Sequence, residues 1–239
     1  MPWTYTAIMI LAVLTGALLA RRSQQSLDLS TGQKLGIGIG AFCGAMIAAK
    51  LPFVLADWEG FLSGRAWLDN GKTIVFGLVG GYFGVEIAKW SLDVRTKTGD
   101  SFAVPVAAAI GVGRLACFVA PCCYGTPTDL PWGVDFGLGD RLPRHPTQLY
   151  EFAFHLGTAC TLEWLGRKNA ARGQRMKLYI LLYAAFRFVT EFVRPEPELW
   201  LGLTGYQWGS AALIPLFLTL WLHDQRQFRA MASSNASVA

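Results

Sequence analysis

The chain has 239 residues, of which 53% are hydrophobic and 15% charged, with nine Trp and a mean hydropathy of +0.35. Soluble domains carry about 25% charged residues, so the composition excludes an ordinary soluble globule and points to a membrane. The formal charge of +5 is no nucleic-acid signal, because the basic residues sort along the chain by topology and do not gather into one patch.

In chain order, residues 1–20 are apolar, with Arg21 and Arg22 after the run and no convincing small-residue cleavage site. They read as a first transmembrane helix and not as a signal peptide. Seven stretches are long and apolar enough to cross about 30 Å of hydrocarbon: 3–20, 35–55, 73–90, 102–120, 148–165, 176–193 and 206–222. The expectation is an all-α integral membrane protein of about seven transmembrane helices. No Pro/Gly/Ser-rich linker divides it, so 1–222 reads as a single transmembrane domain and 223–239 as a cytoplasmic tail, disordered at its end. Thirteen Lys and Arg fall in the odd-numbered connections and the tail, against six on the other side. By the positive-inside rule the N-terminus is outside, the C-terminus cytoplasmic, and the long loop 121–147 on the outer face. That fits a multi-pass membrane protein. The five cysteines, Cys43, Cys117, Cys122, Cys123 and Cys160, show no CxxC spacing and no accompanying His pair. Neither a metal site nor a complete disulfide framework is implied, and free or packed thiols are expected.

Two arginines belong to neither side of the membrane. Arg114 lies in the fourth stretch and Arg187 in the sixth, and each costs at least about 2.5 kcal/mol if it faces lipid at the bilayer centre. They must face protein or water. They sit at a similar depth, so a shared anion or neighbouring carboxylates must stand between them. Arg187, Glu191 and Arg194, spaced i, i+4, i+7, would share one helix face and supply one such carboxylate. Two readings stay open: ion pairs that only lock helix to helix, and a guanidinium fork around a lipid phosphate.

From Gly113 the sequence runs GRLACFVAPCCYGTPTDLPWGVDF, and from Arg141 it runs RLPRHPTQLYEF into the fifth stretch. This pairing resembles the prolipoprotein diacylglyceryl transferase family, whose signatures are a GRxxxF segment and an RHPxQLYE segment. RHPTQLYE, residues 144–151, is the most specific match. FRFVTEFVRPE at 186–196 is similar to the family's late RFxxEFxR helix, TGYQWGS at 204–210 to the entrance of its last span, and GLVGGYFGVE at 77–86 to its Gly-rich third span. The resemblance covers about residues 48–210 and implies the same seven-helix, N-out arrangement. Three positions depart from the pattern. No histidine opens the Gly-rich segment, where 75–77 read Val, Phe, Gly; Cys117 stands where Asn is common; and Ala48-Ala49-Lys50 replaces an early Gly-Ala-Arg motif.

The resemblance implies a transferase of lipoprotein biosynthesis. It would move a diacylglyceryl group from phosphatidylglycerol to the lipobox cysteine thiol of a secreted prolipoprotein, without a cofactor or metal. The partners are then the membrane lipid and the precursor protein. Such chemistry needs cations on the leaving phosphate, a base or field acting on a thiol whose pKa is near 8.5, and an apolar slot for two acyl chains. Arg114 and Arg187 are the clamp candidates, with Glu191 orienting Arg187. His145 is the best remaining base, although its His-Pro setting before a helix also reads as loop architecture. Arg144 is placed to guide an anionic headgroup. Glu151 is either an arginine partner or a second base, and Arg194 and Gln207 are further candidates for binding the substrate. Gln148 and Tyr150 can bond a glycerol headgroup or simply mark the interface. Gly77, Gly80 and Gly81, with Gly84, form a small-xxx-small face that either packs a neighbouring helix or lines an acyl-chain groove. The alternatives to transfer onto a lipobox thiol are a relative that binds or moves an anionic phospholipid, and one that uses a different acceptor. A thiol oxidoreductase is disfavoured by the lack of CxxC.

Overall fold

Each apolar stretch lies on a helix of the computed structural model: α1 (Trp3–Gln24), α2 (Thr31–Ala56), α5 (Ile74–Ser91), α6 (Gly99–Val119), α7 (Thr147–Arg167), α8 (Arg175–Thr190) and α9 (Gly205–Ala236). Two short helices, α3 (Trp58–Ser63) and α4 (Arg65–Leu68), intervene between the second and third stretches. The structure describes residues 3–68 and 71–236, with the backbone alone at 68 and 228–236. Among the described residues the regular structure is helical, and strand-like pairing is limited to isolated bridges. Of the helices in the described residues, three, α1, α2 and α6, are by length and composition apolar enough to cross a membrane. On α1 the side chains of Ile10, Leu11, Val13, Leu14 and Leu18 are exposed, a continuous apolar surface that suits lipid better than water.

Side-chain caps fix several helix starts. Ser30 accepts the Gln33 amide at 3.2 Å while Gln33 Oε1 accepts the Ser30 amide at 3.0 Å, a capping box that pairs two donors left over at the start of α2. Asp57 accepts the Gly60 amide at 2.9 Å before α3, and Thr73 accepts the Phe76 amide at 3.3 Å before α5. The sixth expected span does not remain helical to residue 193. α8 ends at Thr190, Glu191–Val193 tightens into a 3-10 turn, and Arg194 is extended at φ −112° and ψ 146°. Pro195 is the reason, since a proline drives the residue before it out of the helical region. The expected single helix face for Arg187, Glu191 and Arg194 is therefore corrected. α9 continues past residue 222 to Ala236, and the last residues of the expected tail, 237–239, lie outside the described residues.

Contacts divide the chain into two units. One comprises Leu11–Ala109 and Thr158–Met176. Within it α2 and α5 pack antiparallel through glycines: a Cβ on Gly44 would strike the Gly80 carbonyl, and one on Gly84 the Gly40 carbonyl. Gly77 faces Ala49 and Ala45, and Gly81 faces Ala41 and Ala45. The glycine face of α5 is thus filled by α2, with backbones close enough that only small residues fit. Beside this crossing, Ile37, Val85 and Val94 form a small core with Leu29, Ala41 and Phe102.

The other unit draws on the chain up to Ile10, on Ile110–Gly157, and on the chain from Lys177 onward. Its loop between α6 and α7 is held by backbone pairs. Val134 and Arg144 exchange amide-carbonyl bonds of 3.0 and 2.9 Å, Gly125 donates to His145 O at 2.8 Å, and Thr126 donates to Val193 O at 2.9 Å.

Candidate functional site

At the centre of this second unit is a carboxylate surrounded by cations. Glu151, one turn into α7 and 1% exposed, accepts from Arg114 Nε at 2.6 Å and forms an ion pair with the same residue through Nη2. The Tyr183 hydroxyl donates to Glu151 Oε2 at 2.9 Å. Arg187 Nη1 lies 3.4 Å and Arg194 Nη1 3.8 Å from Oε1. Glu191 forms the second anionic point: its Oε2 lies 2.8 Å from Arg187 Nη2 and 3.9 Å from Arg194 Nε. Arg187 also stacks over the Tyr206 ring at 4.8 Å. Three guanidiniums thus face two buried carboxylates, and all five groups are withdrawn from solvent. The local sequence explains the convergence. Glu151 and Arg187 are helical residues on α7 and α8, Arg114 is on α6, and the extended backbone at Arg194 turns its side chain back toward the same point.

The other expected residues divide. Gln207 does not reach this cluster directly. Its Oε1 accepts the Thr204 amide at 2.9 Å, Thr204 Oγ1 accepts the Gln207 amide at 3.3 Å, and Gln207 Nε2 donates to Phe188 O at 3.3 Å. That is a capping box at the start of α9, and Thr204 joins it to the cluster by donating to Glu191 Oε1 at 3.1 Å. His145 forms a separate polar line: its Nδ1 lies 3.1 Å from the Tyr150 hydroxyl, which accepts from Trp132 Nε1 at 2.8 Å. Arg144 bonds Asp140 and lies 5.4 Å from the Tyr124 ring centre. The Leu142 amide, and after it the Arg144 guanidinium, hold the Asp140 carboxyl below the usual carboxylate range. Gln148 is fully buried and donates from Nε2 to Cys122 O at 2.6 Å, while its Oε1 has no hydrogen-bond partner among the described residues. Gly77, Gly80 and Gly81 belong to the α2–α5 packing.

All five cysteines are free. Although no metal motif is written in their spacing, the sulfurs of Cys117, Cys122 and Cys123 lie within 4.8 Å of one another.

The sequence model of the prolipoprotein diacylglyceryl transferase family matches residues 3–223. The chain belongs to that family. Relatives named phosphatidylglycerol–prolipoprotein diacylglyceryl transferase include one from Clostridium tetani, 31% identical over 203 residues, 81% of each chain. One from Pseudomonas paraeruginosa is 32% identical over 230 residues, covering 88% of this chain and 84% of that one. One from Mannheimia succiniciproducens is 34% identical over 169 residues, 68% of this chain but 63% of that one.

In this prolipoprotein diacylglyceryl transferase family member, sequence reasoning assigned no role to Tyr183, Thr204, Tyr206 or His155. His155, one turn below Glu151, places Nε2 4.0 Å from its Oε2 and Nδ1 2.9 Å from the Tyr179 hydroxyl. A signal existed: Tyr179, Tyr183 and Arg187 recur every fourth residue, and Glu151 and His155 do the same on α7, which marks one polar face on each helix.

Proposed function

We propose that the chain transfers the diacylglyceryl group of phosphatidylglycerol to the lipobox cysteine thiol of a secreted prolipoprotein, at the outer leaflet of a bacterial inner membrane. The observation that carries the reading is the Glu151 cluster. Arg114, Arg187 and Arg194 against Glu151 and Glu191 leave one net positive charge away from water, the complement of the single negative charge on a phosphodiester. Family membership supplies the reaction class.

In this reading the acceptor sulfur attacks the glycerol carbon, the carbon–oxygen bond to phosphate breaks, and glycerol phosphate leaves with the bonding pair. Arg114 and Arg187 stabilise the charge that grows on the leaving group. Glu151 and Glu191 hold those guanidiniums in place, and Arg194 adds a third cation. Pairing with three arginines favours Glu151 as a positioning residue over a base. His145, oriented through Tyr150, takes the thiol proton. Arg144 guides the headgroup inward. The unpartnered Gln148 Oε1 accepts a headgroup hydroxyl, because a buried acceptor gains most when a donor arrives.

The reading includes seven spans, an outer N-terminus and a cytoplasmic C-terminus. The helices on all seven apolar stretches and the thirteen-to-six split of basic residues support it.

The test is mass spectrometry of a lipobox peptide incubated with detergent-purified protein and phosphatidylglycerol. A diacylglyceryl adduct on the peptide cysteine that is lost in Arg114→Ala and Arg187→Ala is the expected result. Folded protein that still binds the lipid but modifies no thiol would overturn the reading in favour of a lipid-binding relative.

A further inference from the structure

The three clustered thiols stand beside the arginine site and take no part in the chemistry just described. Their convergence has a local cause. Pro121 has no amide to offer the Cys117 carbonyl, and the Cys122 amide donates there instead at 3.2 Å, folding the turn over the end of α6. Cys123 holds a left-handed backbone at φ 58°, rare for a residue with a Cβ. The turn is fastened from the site itself. Arg194 Nη1 donates to Cys123 O at 3.2 Å, Thr147 Oγ1 donates to the same oxygen, and Gln148 Nε2 donates to Cys122 O at 2.6 Å. Arg114 Nη1 lies 3.9 Å from Cys117 Sγ, so one arginine touches both the carboxylate cluster and the sulfur cluster.

Three sulfurs that meet in this way form a set for a soft divalent ion. Around one tetrahedral zinc, sulfurs bound at 2.3 Å stand about 3.8 Å apart, so the present separations of up to 4.8 Å close with side-chain adjustments of about 1 Å. Zinc sites with three protein ligands are the ones that keep an open fourth position for a reacting molecule, and a thiol in that position is bound as thiolate. Cys122 is exposed, giving an incoming thiol a side from which to approach.

We infer that Cys117, Cys122 and Cys123 bind one zinc ion whose open position takes the acceptor cysteine, so that the nucleophile is made beside the arginines that hold the leaving phosphate. This rests on the transfer reaction proposed above. The acceptor thiol binds as thiolate and its proton passes to the base. The sulfur then forms its bond to the glycerol carbon as the carbon–oxygen bond breaks, and glycerol phosphate leaves with the electron pair. The thioether product carries no negative charge, is a weak ligand, and departs. The zinc supplies no electrons and is unchanged.

The experiment titrates the reduced, metal-stripped full-length protein in detergent with Co2+ alone, then with Zn2+. Expected is one equivalent of Co2+ with thiolate-to-metal charge-transfer and tetrahedral bands that Zn2+ displaces. The bands are lost in Cys117→Ser, Cys122→Ser and Cys123→Ser and kept in Cys43→Ser and Cys160→Ser. In the wild type, Zn2+ should shield those three cysteines, and not Cys43 or Cys160, from maleimide alkylation read by mass spectrometry, which needs no variant to fold. A lipobox peptide should then shift the cobalt bands, and its Cys→Ser version should not. No stoichiometric binding, or a disulfide among the three thiols in the untreated protein, overturns the site. Bands indifferent to the thiol peptide overturn the role in activation. Full transfer activity after chelation overturns the inference and leaves the transferase reading standing, whereas a thiol-responsive metal site in a protein that transfers nothing sinks that reading and leaves the site. The chelated enzyme is expected to lose roughly tenfold or more of its activity and to regain it with Zn2+.

Discussion

Glu151→Gln isolates the charge on which the arginine cluster depends, because it keeps the side-chain volume and removes only the negative charge. Arg114, Arg187 and Arg194 then face Glu191 alone, and the net charge of the cluster rises from one to two positive units. Removing one partner from a buried ion pair costs about 3–5 kcal/mol. In a chain of this size that corresponds to a fall in Tm on the order of 10 °C. Tyr183→Phe sets the scale, since it deletes a single donor to the same carboxylate and should cost about 1.5–3 kcal/mol. The two substitutions should differ in a second measurement. Glu151→Gln leaves an uncompensated cation and should prefer anionic over zwitterionic phospholipid more strongly than the wild type, whereas Tyr183→Phe should not. Thermal unfolding in detergent, followed by tryptophan fluorescence in the presence of each lipid, reads both effects. A Glu151→Gln protein within about 2 °C of wild type, with an unchanged lipid preference, would refute the view that this carboxylate holds the arginines together.

Two further outcomes follow from the packing and the loop. Gly80→Leu and Gly44→Leu place side chains against the opposing backbone of the α2–α5 crossing and should sharply reduce the yield of folded protein by size-exclusion chromatography; Gly38→Ala, which meets nothing within 4 Å, should be neutral or slightly stabilising through helix propensity. The carboxyl of Asp140 is held low by the Leu142 amide and by Arg144, so the loop contact is fully present above the unfolded carboxylate pKa of about 3.9 and is lost only as pH falls through the lower folded value. The protection factors for hydrogen exchange at the paired Val134 and Arg144 amides, taken against the intrinsic rate at each pH, should hold down to pH 5 and fall only in stronger acid, and Asp140→Asn should remove that dependence.

The helices were legible because apolar runs of span length have one common solution, a helix that satisfies its own backbone. The need for carboxylates beside Arg114 and Arg187 was legible for the same reason, since an isolated cation in hydrocarbon is too costly to leave unmatched. What the residues left open was which carboxylate does the matching: Glu191 lay on the same expected face, while Glu151 is 37 residues from Arg114 in sequence and meets it only through tertiary packing. Gln207 carries a second local signal that the family motif overshadowed. Thr204-x-x-Gln207 ahead of an apolar run is a helix-start pattern, and the Gln207 side-chain oxygen is taken up by that cap. The thiol cluster was hidden for a different reason, because C-x4-C-C brings three sulfurs together only when the chain folds back at Pro121. The end of α8 was misread where Pro195 acts at a distance of several residues, through Arg194 and the 3-10 turn before it.

The bond between Arg114 and Glu151 also bears on how such a chain is made. Under the proposed topology, α6 leaves the ribosome first and carries a cation that opposes its entry into lipid by at least about 2.5 kcal/mol. Relief arrives only with α7, after the whole outer loop has been synthesised. The two helices are cheapest to insert as a hairpin, neutral where they touch, and Arg187 then meets a counter-ion already in the membrane. A truncation that stops before residue 151 therefore removes more than a helix: it leaves its predecessor without the charge that lets it stay in the bilayer.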